Sequence, residues 1–142
     1  MSMPSRTASV PPRILVIDDH RDFGALVQRV AEKAGYMVRL TDSPDGFRDL
    51  CATFQPDLIC LDIVMPQEDG IELIRWLAGS GSRAAVYIMT GHSPAFARAA
   101  VEIGRSRGLN IAGILQKPVS LATLRDILTA ARPGSSLPAA AD

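Results

Sequence analysis

The sequence predicts an α/β domain in which five flanking helices cover a doubly wound, five-stranded parallel sheet. Five short apolar runs alternate along the chain with segments whose apolar residues recur at helical spacing. Three of the runs are nearly continuous in Val, Ile and Leu, as expected for strands buried on both faces of a parallel sheet. The length of 142 residues fits one domain of this kind, and no apolar stretch approaches the roughly 18 residues of a membrane span.

The predicted strands are the five apolar runs, which span residues 13–17, 36–40, 57–61, 84–89 and 111–115. The second run carries Arg39, and a charged residue within a strand favours a place at the edge of the sheet. A helical segment follows each run. Because crossovers between parallel strands are right-handed, the helices are expected on both faces of the sheet.

Capping and breaking residues bracket the predicted helices. Ser43-Pro44 and Ser93-Pro94 each place a capping residue before a proline at the first helical position, and Ser120 is the predicted cap of the fifth helix. The predicted helix ends are Gly35 for the first helix, Gln55-Pro56 for the second and Gly79 for the third.

Composition and charge exclude several classes of protein. The 15 basic residues balance the 15 acidic ones, which excludes a nucleic-acid or membrane-surface binder driven by bulk charge. The balance hides an asymmetry, since residues 1–72 carry a net charge of −5 and residues 73–142 one of +5. Cys51 and Cys60 lack metal-ligand spacing, so we interpret them as reduced core thiols of a cytoplasmic protein. Residues 1–12 are expected to be disordered, and residues 132–142 to form a flexible tail or linker.

Polar residues follow four of the predicted strands, at the sheet edge where open parallel sheets bind ligands. They are Asp18, Asp19 and His20 after the first strand, Asp62 after the third, Thr90 after the fourth and Lys117 after the fifth. Each has an ordinary explanation when taken singly: a helix cap, a turn, a strand end or a solvated charge. A single site explains them together better than separate coincidences do.

The chemistry of such a site follows from its charges. Three clustered carboxylates repel one another and need a compensating cation. Oxygen ligands in a partly wet cleft suit Mg²⁺. With Mg²⁺ and an ammonium to neutralise a phosphoryl group, one carboxylate could attack it in line. The pattern therefore predicts an aspartyl phosphate.

At these residues the sequence resembles the receiver domains of two-component response regulators. The matching stretches are ILVIDDH at 14–20, PDLICLDIVMPQEDG at 56–70, the Thr90-Gly91 pair and the Lys117-Pro118 pair. The resemblance covers about residues 13–131 and implies a receiver domain with the flavodoxin-like strand order 2-1-3-4-5. The stretch GLNIAGILQKPV also resembles receivers that precede cyclic-di-GMP phosphodiesterase domains.

The resemblance implies roles for individual residues. Asp62 is implied as the phosphoacceptor, Thr90 as a hydrogen-bond donor to one phosphoryl oxygen and Lys117 as the ionic partner of another. The Lys117–Pro118 bond is expected to be cis, which is a minority state for X-Pro bonds. Gly70 is expected in a turn that passes close to the site.

The resemblance also implies a cofactor and partners. The Mg²⁺ ligands would be Asp19 directly, Asp18 in support through water, Asp62, and the backbone carbonyl of Val64. The implied partner is a sensor histidine kinase or phosphotransfer protein, with no direct contact to nucleic acid or membrane. In the resembled family the fourth helix, fifth strand and fifth helix often form the dimer or output face, so this face is a candidate homodimer surface. Charged residues that could contact a partner there are Arg98, Arg105, Arg107, Arg125 and Asp126.

Three residues depart from the family pattern or have an open role. Receivers usually carry an aromatic residue three positions before the lysine, where this chain has Ile114, and we predict ordinary strand packing for it. Coupling between that position and Thr90 is therefore expected to be weak. His20 and His92 are interpreted as solvated loop imidazoles, without the spacing of a Zn²⁺ site. The alternative for His92 is a gate that controls water access to the phosphoryl group.

The leading functional hypothesis is a phosphorylation switch, not an enzyme with a turnover substrate, because its chemistry is confined to its own phosphorylation and dephosphorylation. Two alternatives use the same fold: a phosphotransferase acting on a small substrate, and a phosphorylation-independent adaptor. The first needs a substrate cap, for which the chain has no insertion. The second has no need of a repulsive carboxylate cluster. A flavin-binding protein would need an uncharged phosphate loop where Asp18 and Asp19 stand.

Overall fold

A computed structural model describes residues 10–64, 70–91 and 94–132 of the chain. These residues form alternating strands and helices. The strands are β1 (Arg13–Ile17), β2 (Met37–Thr41), β3 (Leu58–Asp62), β4 (Ala85–Thr90) and β5 (Asn110–Gln116). The helices are α1 (Arg21–Lys33), α2 (Pro44–Phe54), α3 (Gly70–Gly79), α4 (Pro94–Ser106) and α5 (Leu121–Ala130).

The strands form one parallel sheet in the order β2-β1-β3-β4-β5, which confirms the predicted topology. All five residues of β3 are buried, and so are all but the first of β1. β2 lies at an edge and is mostly open to solvent, as Arg39 predicted. Because all strands run the same way, their carboxyl ends meet at a single edge of the sheet.

Helices cover both faces of the sheet, and each face has its own core. Helices α2, α3 and α4 pack on one face, where Phe47, Leu73 and Ile74 are fully buried. Helices α1 and α5 pack on the other, against Val16 and Met89. The two cores hold the sheet between helical layers and so fix the positions of the strand ends.

The predicted caps and stops are largely confirmed. The Ser43 side chain accepts a hydrogen bond from the Gly46 amide, and that of Ser120 accepts one from the Thr123 amide. Gln55 ends α2 with φ of 53°, and Gly35 follows α1 with φ of 97°. α4 begins at Pro94 as predicted, whereas its predicted cap, Ser93, lies outside the described residues.

Strand boundaries differ from the predictions by a single residue at several ends. β2, β3 and β4 each begin and end one residue later than their apolar runs, while β5 is longer by one residue at each end. The shifts arise because pairing with neighbouring strands, rather than side-chain polarity, decides where a strand stops. Asp62 and Thr90 are therefore the last residues of β3 and β4 instead of the first residues of loops.

Three further expectations have mixed outcomes. Cys60 is buried in the core and Cys51 is half-buried; both are free, and burial raises the pKa of each thiol to about 12. In the part of the chain that the structure describes, no helix is long and apolar enough to cross a membrane. The predicted disordered start and flexible end fall mainly on residues 1–9 and 133–142, which lie outside the described residues.

Candidate functional site

The carboxyl ends of the strands bring together the predicted acidic and basic residues. Asp18 and Asp19 follow β1, Asp62 ends β3, and Lys117 follows β5. Asp18 and Asp62 are buried even though both are carboxylates. Buried carboxylates are rare unless a cation or hydrogen-bond donors accompany them, so their partners define the site.

Lys117 supplies the positive charge at the centre of this cluster. Its Nζ lies 2.6 Å from Asp18 Oδ2 and 3.4 Å from Asp62 Oδ2, and the side chain is only 15% exposed. The ammonium also lies 4.7 Å from the centroid of the Phe23 ring in α1. One cation thus bridges two carboxylates from different strands, with an aromatic face on a further side.

The carboxyl group of Asp62 has an unusual environment. Burial raises its pKa to about 6, and the negative charge of Asp18 adds to this effect. The Val64 amide, which donates a hydrogen bond of 3.1 Å to Asp62 Oδ1, and the Lys117 ammonium act in the opposite direction. The group therefore stays ionised at neutral pH while being poorly solvated, a combination suited to a nucleophile.

His20 belongs to the cluster, and its interpretation as only a solvated imidazole is incomplete. The ring is 69% exposed, but its Nδ1 lies 3.2 Å from Asp18 Oδ1 and 3.4 Å from Asp19 Oδ1. The same nitrogen is 4.0 Å from Asp62 Oδ2. The signal that could have placed it is its position directly after two carboxylates at a strand end. His92 lies outside the described residues.

The donor atoms of Asp18, Asp19, His20 and Asp62 fit a metal ion. One atom from each lies within 4.8 Å of all the others. Asp19 Oδ1 is buried and accepts no hydrogen bond, whereas Asp18 Oδ2 is paired with the Lys117 ammonium at 2.6 Å. A buried oxygen without a donor is costly, and a hard divalent cation would satisfy Asp19 Oδ1.

The two remaining predicted site residues lie at the same edge. The Thr90 side chain is buried, and its backbone carbonyl accepts a hydrogen bond of 2.8 Å from the Lys117 amide. Val64 follows Asp62 by two residues and has an exposed side chain. Phosphoryl recognition by the Thr90 hydroxyl and metal ligation by the Val64 carbonyl stay predictions.

Two local backbone features agree with the sequence-based expectations. The Lys117–Pro118 peptide bond is cis. Gly70 begins α3 directly against Ile63, to whose carbonyl its amide donates a hydrogen bond of 2.8 Å. A Cβ at position 70 would lie 2.6 Å from the Ile63 Cα, so no larger residue fits there without a shift. This close approach fixes the start of α3 beside the strand end that carries Asp62.

Ile114 lies within β5, where it pairs with Ile88 of β4, but its side chain is not buried. Its side chain is 39% exposed, whereas the neighbouring Leu115 is buried. Successive residues of a strand point to opposite faces, and β5 is an edge strand whose second face is incompletely covered at this position. Sequence reasoning also missed Phe23 as the aromatic neighbour of Lys117, because no local pattern links a residue of α1 to the end of β5.

The parallel sheet with an acidic cluster and a lysine at its carboxyl edge is the arrangement expected of a receiver domain, and comparison with known proteins agrees with this class. The family model of the response regulator receiver domain matches residues 14–129, and the chain belongs to that family. Response regulator MprA of Mycobacterium tuberculosis is 32% identical over 125 residues, which are 85% of this chain and 52% of that protein. Response regulator MprA of Mycolicibacterium vanbaalenii is 34% identical over 91 residues, which are 64% of this chain and 39% of that protein. The chain thus spans about half or less of the length of these relatives.

Solved structures show the same fold. A response regulator from Colwellia psychrerythraea superposes with a TM-score of 0.73 at 30% identity, covering 84% of this chain and 94% of that one. A signal receiver domain from Vibrio parahaemolyticus superposes with a TM-score of 0.74 at 19% identity, covering 86% of this chain and 90% of that one. The second likeness concerns the fold alone.

Proposed function

We propose that this receiver domain is a phosphorylation-dependent switch that accepts a phosphoryl group from a histidine kinase onto Asp62, with Mg²⁺ bound. The observation that carries the proposal is the set of charged groups around the Asp62 carboxylate. A buried carboxylate ends β3 within 3.4 Å of the Lys117 ammonium, beside two further carboxylates that need a cation. A structural salt bridge alone would not require three acidic groups around one base.

The reaction would proceed by in-line displacement at phosphorus. An Asp62 carboxylate oxygen forms a bond to phosphorus as the bond from phosphorus to the donor imidazole nitrogen breaks. The bonding electron pair stays on the departing imidazole. Lys117 would balance negative charge on the phosphoryl oxygens, and the Thr90 hydroxyl would donate a hydrogen bond to one of them.

The metal would be held by Asp19, with support from Asp18, and by Asp62 and the carbonyl of Val64. Bound Mg²⁺ supplies positive charge that offsets the charge developing on the transferring group. The chain itself holds the acceptor oxygen in place, because the Val64 amide binds Asp62 Oδ1 and burial limits the motion of the side chain. With its pKa of about 6, Asp62 is ionised at neutral pH and needs no separate base.

A sensor histidine kinase or phosphotransfer protein would be the phosphodonor. The face of α4, β5 and α5 is a candidate surface for a homodimer, since Arg98, Arg125 and Asp126 are exposed on its helices and Ile114 is exposed on its strand. Arg105 already has a partner within the domain, because its guanidinium donates a hydrogen bond of 2.9 Å to the Ile111 carbonyl. Loss of a dimer in Ile114→Asp, measured by sedimentation, would support this surface.

Several broader expectations belong to the same proposal. The functional unit would be residues 13–131, with residues 1–12 and 132–142 as flexible flanks, in a cytoplasmic protein without direct contact to nucleic acid. Its chemistry would be limited to its own phosphorylation and slow dephosphorylation. A cyclic-di-GMP phosphodiesterase domain joined to it would be consistent with the sequence around β5.

Phosphorylation can be tested with acetyl phosphate and Mg²⁺ on the full chain. Intact mass spectrometry should show one added phosphoryl group that survives acid and is lost in base, which is the behaviour of an acyl phosphate. Asp62→Asn should abolish it, and chelation of the metal should suppress it. Asp49→Asn is a matched control, because Asp49 is an exposed carboxylate on α2, away from the cluster.

The result separates the switch from a phosphorylation-independent adaptor. An adduct in wild type and in Asp49→Asn but not in Asp62→Asn supports the switch. No adduct in wild type, or an adduct that persists in Asp62→Asn, contradicts it.

A further inference from the structure

The cluster contains one donor that is not oxygen, and it lies close to every carboxylate. His20 Nδ1 is 3.2 Å from Asp18 Oδ1, 3.4 Å from Asp19 Oδ1 and 4.0 Å from Asp62 Oδ2. The nitrogen is within hydrogen-bond distance of Asp18 Oδ1, and it also lies close enough to the other two carboxylates to share one cation with all three. The imidazole is therefore placed as a fourth member of the donor set.

The backbone holds His20 at this position independently of its ring. The His20 amide donates a hydrogen bond of 2.7 Å to Asp18 Oδ1, and the residue stands directly before α1 as its N-cap. Its side chain makes no capping hydrogen bond to the helix. The ring is thus not needed for the start of α1, and within the described residues its contacts are with the carboxylates.

A second observation points to a ligand in the same place. Asp19 Oδ1 is buried and accepts no hydrogen bond, although it lies 3.4 Å from the imidazole nitrogen. If the His20 ring donated a hydrogen bond to Asp19 Oδ1, this oxygen would not be unsatisfied. An ion shared by the oxygen and the nitrogen satisfies both.

We infer that His20 is a metal ligand and makes this site favour first-row transition metal ions, such as Mn²⁺, over Mg²⁺ more strongly than its carboxylates alone would. The inference rests on the metal site of the proposed function and specifies which ions it takes. Carboxylate and water ligands suit Mg²⁺, whereas an imidazole nitrogen strengthens binding of transition metals and adds little for Mg²⁺.

A purely electrostatic role for His20 makes a different prediction. If the ring only positioned Asp18 through a hydrogen bond, its removal would weaken Mg²⁺ and Mn²⁺ binding by similar factors. If it is a ligand, its removal changes the ratio of the two affinities. The selectivity ratio, rather than either affinity, therefore decides between the two roles.

The test measures dissociation constants of Mg²⁺ and Mn²⁺ by calorimetry, using the full chain as wild type, His20→Ala and Gln28→Ala. Gln28 on α1 is a neutral control whose side chain bonds to Glu32, away from the cluster. We expect His20→Ala to weaken Mn²⁺ binding by about tenfold or more, with a much smaller effect on Mg²⁺. Gln28→Ala should leave the selectivity ratio unchanged.

Pulsed EPR of the Mn²⁺-loaded protein gives a readout independent of affinity. Wild type should show coupling to a directly bound imidazole nitrogen, and His20→Ala should lose it. His20→Asn serves as a second variant if His20→Ala does not fold, because it keeps a polar side chain of similar reach. Absence of nitrogen coupling in wild type, its persistence in the variants or an unchanged selectivity ratio would overturn the inference.

The inference and the proposed function fail in distinguishable ways. Phosphorylation of Asp62 by acetyl phosphate with Mg²⁺ is measured on the same samples. If wild type takes up no phosphoryl group but shows the His20 nitrogen coupling, the switch fails and the metal assignment stands. If wild type is phosphorylated and its metal selectivity does not depend on His20, the switch stands and the metal assignment fails.

Discussion

The Lys117 ammonium lies closer to Asp18 than to the predicted phosphoacceptor, with Nζ 2.6 Å from Asp18 Oδ2 and 3.4 Å from Asp62 Oδ2. This ion pair joins the end of β5 to the end of β1 across the strands between them. Asp18 is almost completely buried, so its charge depends on this neighbour. Within the described residues, the Lys117 ammonium therefore has two roles. It holds the ends of β1 and β5 together, and it supplies the main positive charge of the site.

Removal of the lysine should destabilise the protein. Lys117→Met leaves Asp18 and Asp62 as buried, mutually repelling carboxylates, and should lower the free energy of unfolding by about 2 kcal/mol. Urea unfolding in the presence of a chelator measures the change. The loss should be smaller in an Asp18→Asn background, because the nearer of the two charges that Lys117 balances is then absent. Equal losses in both backgrounds would contradict the role of the ion pair.

The raised pKa of Asp62 predicts a pH dependence of stability. Its pKa is about 6 in the folded protein against an ordinary value of 3.8, so the folded state binds a proton more tightly than the unfolded state. The stability contributed by the neutral form is complete below pH 3.8 and is lost as the pH rises through about 6. Asp62→Asn removes this loss.

Asp62→Asn should therefore be more stable than wild type at pH 8 by about 1–2 kcal/mol, and the difference should vanish near pH 4. Chemical unfolding at several pH values without metal measures it. A variant that is less stable than wild type at pH 8, or a difference independent of pH, would argue against burial of the Asp62 charge. Asp49→Asn, on the surface of α2, should show no comparable gain.

The ring of Phe23 should help to hold Lys117 over the site, since its centroid lies 4.7 Å from the ammonium. We expect Phe23→Leu to slow phosphorylation of Asp62 by acetyl phosphate by about threefold to tenfold, the range of a partly buried cation–π contact. Phe23→Tyr keeps the aromatic face and should retain a rate near that of wild type. A rate for Phe23→Leu equal to that of Phe23→Tyr would remove the positioning role.

Gly70 should tolerate no side chain. Gly70→Ala would place a Cβ 2.6 Å from the Ile63 Cα and 2.9 Å from its carbonyl oxygen, and both are backbone atoms that cannot turn away. We expect a loss of about 1–3 kcal/mol in the free energy of unfolding. Gly79→Ala at the other end of α3 is the matched control, because nothing lies within 4 Å of its added Cβ. Thermal unfolding of both variants measures the contrast.

Much of the fold could be predicted from the sequence because its signals are local. Continuous apolar runs mark strands buried on both faces, and caps such as Ser43 and Ser120 mark helix starts. Parallel topology then brings the carboxyl ends of the strands to one edge, so Asp18, Asp62 and Lys117 could be grouped from the sequence. Strand ends were less accurate, since ladder pairing extends β3 and β4 to include Asp62 and Thr90.

Residue order by itself determined which charges collect at the edge of the sheet, because connectivity and handedness leave few alternatives. Only the tertiary structure decided how those charges pair. It placed the ammonium nearer to Asp18 than to Asp62, turned the His20 nitrogen into the acidic cluster, and left Ile114 exposed on β5. These outcomes depend on distances of a few ångströms between side chains far apart in the chain. Packing of the helices on both faces sets such distances, and no local pattern encodes them.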